Sequence, residues 1–110
     1  MAEVYSKQLV NHAGFSGVAT AAYTVPAGFV AVIRQMTIAV GANITPGAGN
    51  FRGPTLGVLF TFGPAIPTSG LQDAQRSGRW VLNEGESLYI ETDGGWIADF
   101  FASGYELTLP

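Results

Sequence analysis

A single histidine, His12, stands in Asn11-His12-Ala13-Gly14, with Ser16 close behind it. Base-assisted nucleophilic catalysis needs a nucleophile, an imidazole and a carboxylate that converge. No Gly-x-Ser-x-Gly turn presents a serine here, so His12 reads as an exposed loop residue. Glu91 and Asp93 alternate and could share a strand face, and Glu84 and Glu86 flank Gly85. Such carboxylates could hold calcium or act as an acid/base pair. Calcium takes about 6–8 oxygen ligands and no Asp-rich loop is present. The expectation is solvated turn charge that keeps strands from pairing with strangers.

Trp80, Trp96 and the tyrosines could stack on sugar rings. Trp96 follows Gly94-Gly95, so its ring could stand at a loop tip as a glycan contact. The competing and preferred use is a core or a subunit interface, where aromatic rings supply large buried areas. Arg34 lies inside an apolar run. A charge there is costly unless paired, which predicts a carboxylate partner or a subunit boundary. The glycine-rich segment Gly41 to Gly53 lacks the Gly-Lys-Ser/Thr ending of a phosphate cradle and opens no helix.

Composition narrows the remaining classes. The chain has 110 residues, of which 12% are charged and 47% hydrophobic, with a net charge of −3. A typical domain carries roughly 25% charged residues. One small domain over 1–110 has a high surface-to-volume ratio, so part of this weakly charged surface is expected to be covered by other chains. Cysteine is absent, which excludes disulfides, thiolate nucleophiles and cysteine zinc sites. Five scattered basic residues do not make a nucleic-acid surface. The uncharged stretch Gln8–Ile33 is long enough to span a bilayer, but its Asn, His, Gly and Pro residues rule against a membrane helix. No signal peptide is recognisable, and no cofactor is indicated.

Fifteen glycines and six prolines separate short runs rich in Val, Ile, Thr, Phe and Tyr, the pattern of strands. Strands are predicted over 3–10, 18–25, 29–40, 56–62, 79–82, 87–92 and 96–109, the last with a bulge or kink at Gly104. Pro26-Ala27-Gly28, Asn83–Glu86 and Asp93–Gly95 read as turns, the last of hairpin type. Long loops are expected over 41–54 and 63–78. The nearest approach to a helix, Gly70 to Gly78, is short and polar. Phe29, Ala31, Ile33, Gln35, Thr37 and Ala39 should share one strand face, and Val30, Val32, Arg34, Met36, Ile38 and Val40 the other. The expected fold is all-β: an antiparallel β-sandwich, jelly-roll or immunoglobulin-like, of seven to eight short strands.

The segment Tyr23-Thr24-Val25-Pro26-Ala27-Gly28-Phe29-Val30-Ala31-Val32-Ile33-Arg34 is a strand, a Pro-Ala-Gly turn and a second strand carrying arginine. Trp80-Val81-Leu82-Asn83-Glu84-Gly85-Glu86-Ser87-Leu88-Tyr89-Ile90 is followed by Asp93-Gly94 and later by Ser103-Gly104-Tyr105-Glu106-Leu107. Over roughly residues 20–40 and 79–109 the chain resembles small β-sandwich virion proteins of tailed bacteriophages. It is most similar to short minor tail proteins of siphophages infecting actinobacteria. The resemblance implies a non-enzymatic virion component, assembled in the host cytoplasm as a symmetric oligomer, with a trimer favoured. Capsid decoration and a head–tail collar are alternative positions, and a carbohydrate-binding adsorption module is an alternative role. A small β-fold hydrolase built on His12 ranks last. Expected partners are copies of the chain, other virion proteins and a host surface glycan. The residues expected at subunit interfaces are Phe29, Val32, Arg34, Met36, Ile38, Phe51, Leu56, Phe60, Phe62, Trp96 and Phe100, with the loops 41–54 and 63–78 reaching adjoining proteins or the host.

Overall fold

The computed structural model describes residues 7–40, 47–62, 72–93 and 95–110. Eight strands account for most of them: β1 (Lys7–Phe15), β2 (Thr20–Thr24), β3 (Phe29–Val40), β4 (Ala48–Arg52), β5 (Val58–Phe62), β6 (Gln72–Leu82), β7 (Ser87–Asp93) and β8 (Ala98–Thr108). Two four-stranded sheets form, ordered β1-β8-β3-β6 and β2-β7-β4-β5. Every observed pairing is antiparallel. First pairs with last, second with seventh, third with sixth and fourth with fifth. That is one long hairpin rolled into two layers, the jelly-roll order, and it decides against the immunoglobulin arrangement.

The roll sorts the connections. Strands β1, β3, β5 and β7 all finish at one end of the sandwich, where Val40 and Phe15 both pair with Ala98, and Ala48 pairs with Asp93. The turns at 25–28, 53–57 and 83–86 lie at the opposite end. Asp93–Gly95 therefore does not close a hairpin: β7 and β8 belong to different sheets. Only β4 and β5 form a sequential hairpin within a sheet.

Several boundaries move from those the sequence suggests. The predicted loop 41–54 contains β4, and 63–78 contains the start of β6, so the short polar run before Gly78 is strand from Gln72 onward. The rest of both segments, 41–46 and 63–71, lies outside the described residues, as do positions 3–6 of the first predicted strand. Glycine and asparagine in Ala48–Arg52 lower strand propensity, but pairing on both sides overrides it.

The two-face reading of β3 also fails, for one reason. Register shifts between Ile33 and Gln35 against both neighbours, so Arg34 is bulged. Alternation slips by one residue there. Ala31 and Ile33 point inward before the bulge, and Met36, Ile38 and Val40 after it. The kink expected at Gly104 thus belongs to β3, and Gly104 is its necessary partner. A Cβ on Gly104 would lie 2.0 Å from the Val32 carbonyl oxygen, a separation that no side chain tolerates.

The core fills the space between the sheets. Ile33, Met36, Ile38, Phe51, Leu88, Trp96 and Phe100 are all fully buried there. Ring edges meet faces from Phe51 to Phe100 (5.4 Å) and from Phe100 to Phe15 (5.9 Å), the geometry aromatic quadrupoles favour. At the β1/β2 side, Tyr23 Oη donates to Glu106 Oε2 across the two sheets, and Lys7 Nζ donates to Glu106 Oε1.

Candidate functional site

Most residues expected at interfaces belong to the chain's own core. Met36, Ile38, Phe51, Trp96 and Phe100 are 0% exposed and Phe62 8%. Val32 is equally buried (2%) on the outer side of its sheet, flanked by Tyr105 and Val81 on adjoining strands. The six core residues cannot meet a second subunit or a ligand without unfolding, and Val32 is covered by its neighbours. Trp96 is therefore no glycan contact. Its ring packs near Phe62 at 6.3 Å, and Gly47 leaves the room it needs: a Cβ there would come within 2.3 Å of Trp96 Cδ1. Glycines before a tryptophan gave the impression of a loop tip, whereas the turn folds the ring inward.

Phe29 and Phe60 are half-buried, while Leu56 and Arg34 are exposed. Arg34 forms no ion pair with any described residue. The bulge sends it to solvent, which removes the need for the carboxylate partner predicted for an in-strand charge. His12 lies on β1, not in a loop, and is exposed with its ring against Phe15 at 5.3 Å. No serine or carboxylate hydrogen-bonds to it among the described residues.

Three of the four acidic residues singled out in the sequence, Glu86, Glu91 and Asp93, are structural acceptors. Asp93 Oδ1 accepts from the Ala48 amide at 2.8 Å, and Glu86 Oε1 from the Asn83 amide. Glu91 sits on the outer face of the second sheet, between Asn50 and Arg52. Its Oε1 accepts from Asn50 Nδ2 at 2.8 Å and from Arg52 Nε at 2.9 Å. Thr61 Oγ1 donates to Asn50 Oδ1, and Arg52 Nη1 donates to the Leu56 carbonyl. Burial alone would raise the Glu91 pKa, but the bonds from Asn50 and Arg52 and the guanidinium charge outweigh it and hold the carboxyl below its ordinary value. Asn50-x-Arg52 would have signalled this network had 48–52 been read as a strand.

The network ends on an unusual residue. Leu56 has φ 65°, the left-handed region, and is 48% exposed. That conformation costs a branched residue roughly 1–2 kcal/mol. The Leu56 amide donates to the Gly53 carbonyl, Gly53 donates to Gly57, and Arg52 grips the Leu56 carbonyl. The turn thus holds an apolar side chain out to water with three hydrogen bonds behind it.

Exposed apolar side chains are not scattered. Val18, Leu56, Val58, Val81, Ile97 and Leu109 are the large ones among the described residues. Leu56, Val58, Val81 and Leu109 lie toward the end that carries the turns 25–28, 53–57 and 83–86. Val18 and Ile97 lie at the opposite end. Val18, 81% exposed, is braced too: Gly17 and Thr92 exchange two hydrogen bonds, Gly17 N to Thr92 Oγ1 and Thr92 N to Gly17 O, each 2.9 Å. The middle of each outer sheet face holds none of them. What the geometry of the described residues offers is two apolar ends, the Leu56 end and the Val18 end. Among the described residues no cluster of His, Asp or Glu could hold a metal ion.

No protein-family model matches the chain, and no curated protein does. Among solved structures, a chain from Bacillus endospore appendages, described as a family of disulfide-linked pili, superposes with a TM-score of 0.49 at 12% identity. The match covers 97% of this chain and 89% of that one.

Proposed function

We propose that this chain is a structural subunit of a tailed-bacteriophage virion, a minor tail component, that joins copies of itself through its two apolar ends. The carrying observation is the segregation of the large exposed apolar side chains among the described residues to those ends, in a chain whose charged fraction is 12%. The viral assignment draws on the resemblance of residues 20–40 and 79–109 to such proteins.

Contact between unlike ends is head-to-tail. It closes into a ring, such as a trimer, when the rotation per subunit permits, and otherwise continues as a filament. The same contacts would serve a capsid decoration or a head–tail collar. Size sets the strength. The Cα cross-section is 24 × 19 Å, so a flat end presents about 450 Å² before side chains widen it. Stable interfaces bury about 800 Å² per partner. A single end contact is weak, and ring closure or a scaffold of other virion proteins makes it permanent.

Sedimentation velocity from about 10 μM to about 1 mM tests the assembly. The expected result is a mass that rises with concentration, and a rise that Leu56→Asp suppresses. A strict monomer throughout contradicts it. Mass spectrometry of the purified virions tests the location: absence of the chain from the particles rejects the viral reading.

A further inference from the structure

The outer face of the β1-β8-β3-β6 sheet carries a shallow cleft of about 200 Å³ lined by Gln8, Gln35, Thr37, Phe101, Ala102 and Ser103. Register explains its chemistry. Gln8 pairs with Ser103, Ser103 with Gln35, and Gln35 with Ser77. In the next row Asn11 pairs with Phe101, Phe101 with Thr37, and Thr37 with Gln75. Two consecutive rows across four strands thus hold only amides, hydroxyls and one aromatic ring. Acidic Asp99 and Asp73 begin one row further along, beside Ala39.

From this placement we propose that the cleft binds a neutral saccharide. Gln35 Nε2 donates to Gln75 Oε1 at 2.8 Å, which fixes the Gln35 amide and leaves its carbonyl oxygen and second N–H free. Gln8 is exposed, with no hydrogen bond from its side chain to a described residue. Amides and hydroxyls both donate and accept, as the adjacent hydroxyls of a sugar require. The half-buried Phe101 ring offers an apolar surface to the C–H face of a pyranose. An anionic ligand would find no cation in the lining, and an apolar one no deep pocket. The volume equals that of about seven water molecules. That is room for one sugar ring and less than the roughly 300–1,000 Å³ of sites for larger ligands.

The site is open on one side, so a single ring should bind with a Kd of about 1 mM or weaker. In an end-to-end assembly, a point that rests on the function proposed above, this face stays uncovered. Repeated copies would then bind a glycan-coated surface by avidity.

The experiment is a heteronuclear NMR titration of the dilute full chain with glucose, galactose, mannose and N-acetylglucosamine in turn. It does not depend on assembly. The expected result is saturable shifts in the side-chain amides of Gln8 and Gln35 and in the Phe101 ring with at least one sugar. Phe101→Ala should weaken binding about tenfold. Gln8→Ala, at an exposed position that leaves the fold intact, should weaken it about threefold. No shift with any sugar, shifts confined to other surfaces, or shifts unaltered by Gln8→Ala would overturn the proposal. So would a neutral extended peptide that moves the same signals when no sugar does.

Discussion

At the residue scale, buried rings and paired carboxylates carry the stability. Trp96 fills the core beside Phe62 with no exposed surface. Trp96→Ala should cost about 3–5 kcal/mol, visible as a large fall in the urea midpoint. A loss under about 1 kcal/mol would mean that the ring is not packed as described. Glu91 and Glu106 titrate below their ordinary values. For Glu106 the causes are hydrogen bonds from Lys7 and Tyr23 and the Lys7 charge, against the opposing effect of burial. A carboxylate with a depressed folded pKa stabilises above its unfolded value, near 4.5, and loses that contribution as pH falls through the folded value. The fold should therefore weaken as the pH falls below about 5. Glu91→Gln should flatten that fall in urea melts, and an unchanged slope would remove Glu91 from the account. Tyr23 moves the other way: burial, then the Glu106 hydrogen bond and charge, raise its pKa. Its contribution is present below pH 10 and declines above it, and Tyr23→Phe should abolish that alkaline component.

At the element scale, the bulge at Arg34 decides which residues of β3 face inward. Gly104 makes that bulge possible by lying against the Val32 carbonyl. Gly104→Ala should destabilise by several kcal/mol or prevent folding, whereas Gly57→Ala, with open space around it, should keep the circular dichroism spectrum and most of the melting temperature. Equal effects would contradict the bulge. The bulge also marks what was legible beforehand. Strand β3 was readable from end to end because β-branched and apolar residues dominate it, and β7 nearly so. Its facing pattern was not, since one extra residue inverts period-two alternation without any local mark. Strand β4 and the first part of β6, residues 72–78, were hidden among Gly, Asn, Ser, Gln and Arg, whose intrinsic preference is for turns or solvent and whose strand state comes from neighbours. The same blindness hid the Asn50–Arg52–Glu91 network. Leu56, expected at an interface and at the start of a strand, is exposed in the turn before β5, and its left-handed backbone had no signature in the sequence.

At the scale of the whole molecule, a sandwich with polar flanks and apolar ends is directional. In the assembly proposed above, unlike apolar ends of successive copies meet. Salt should act accordingly. Contacts made by Val18, Ile97, Leu56 and Val58 carry little charge, so association should persist at about 1 M sodium chloride, where the Debye length is near 3 Å. Salt-induced dissociation would point instead to the charged flanks. The most direct test exploits the absence of cysteine. Two single variants, Val18→Cys and Leu56→Cys, one of them isotopically labelled, are mixed under mild oxidation, and the disulfide dimers are identified by mass spectrometry. Head-to-tail contact predicts a large excess of the mixed Val18→Cys with Leu56→Cys dimer over either like pair. A statistical mixture, or like pairs in excess, would contradict it.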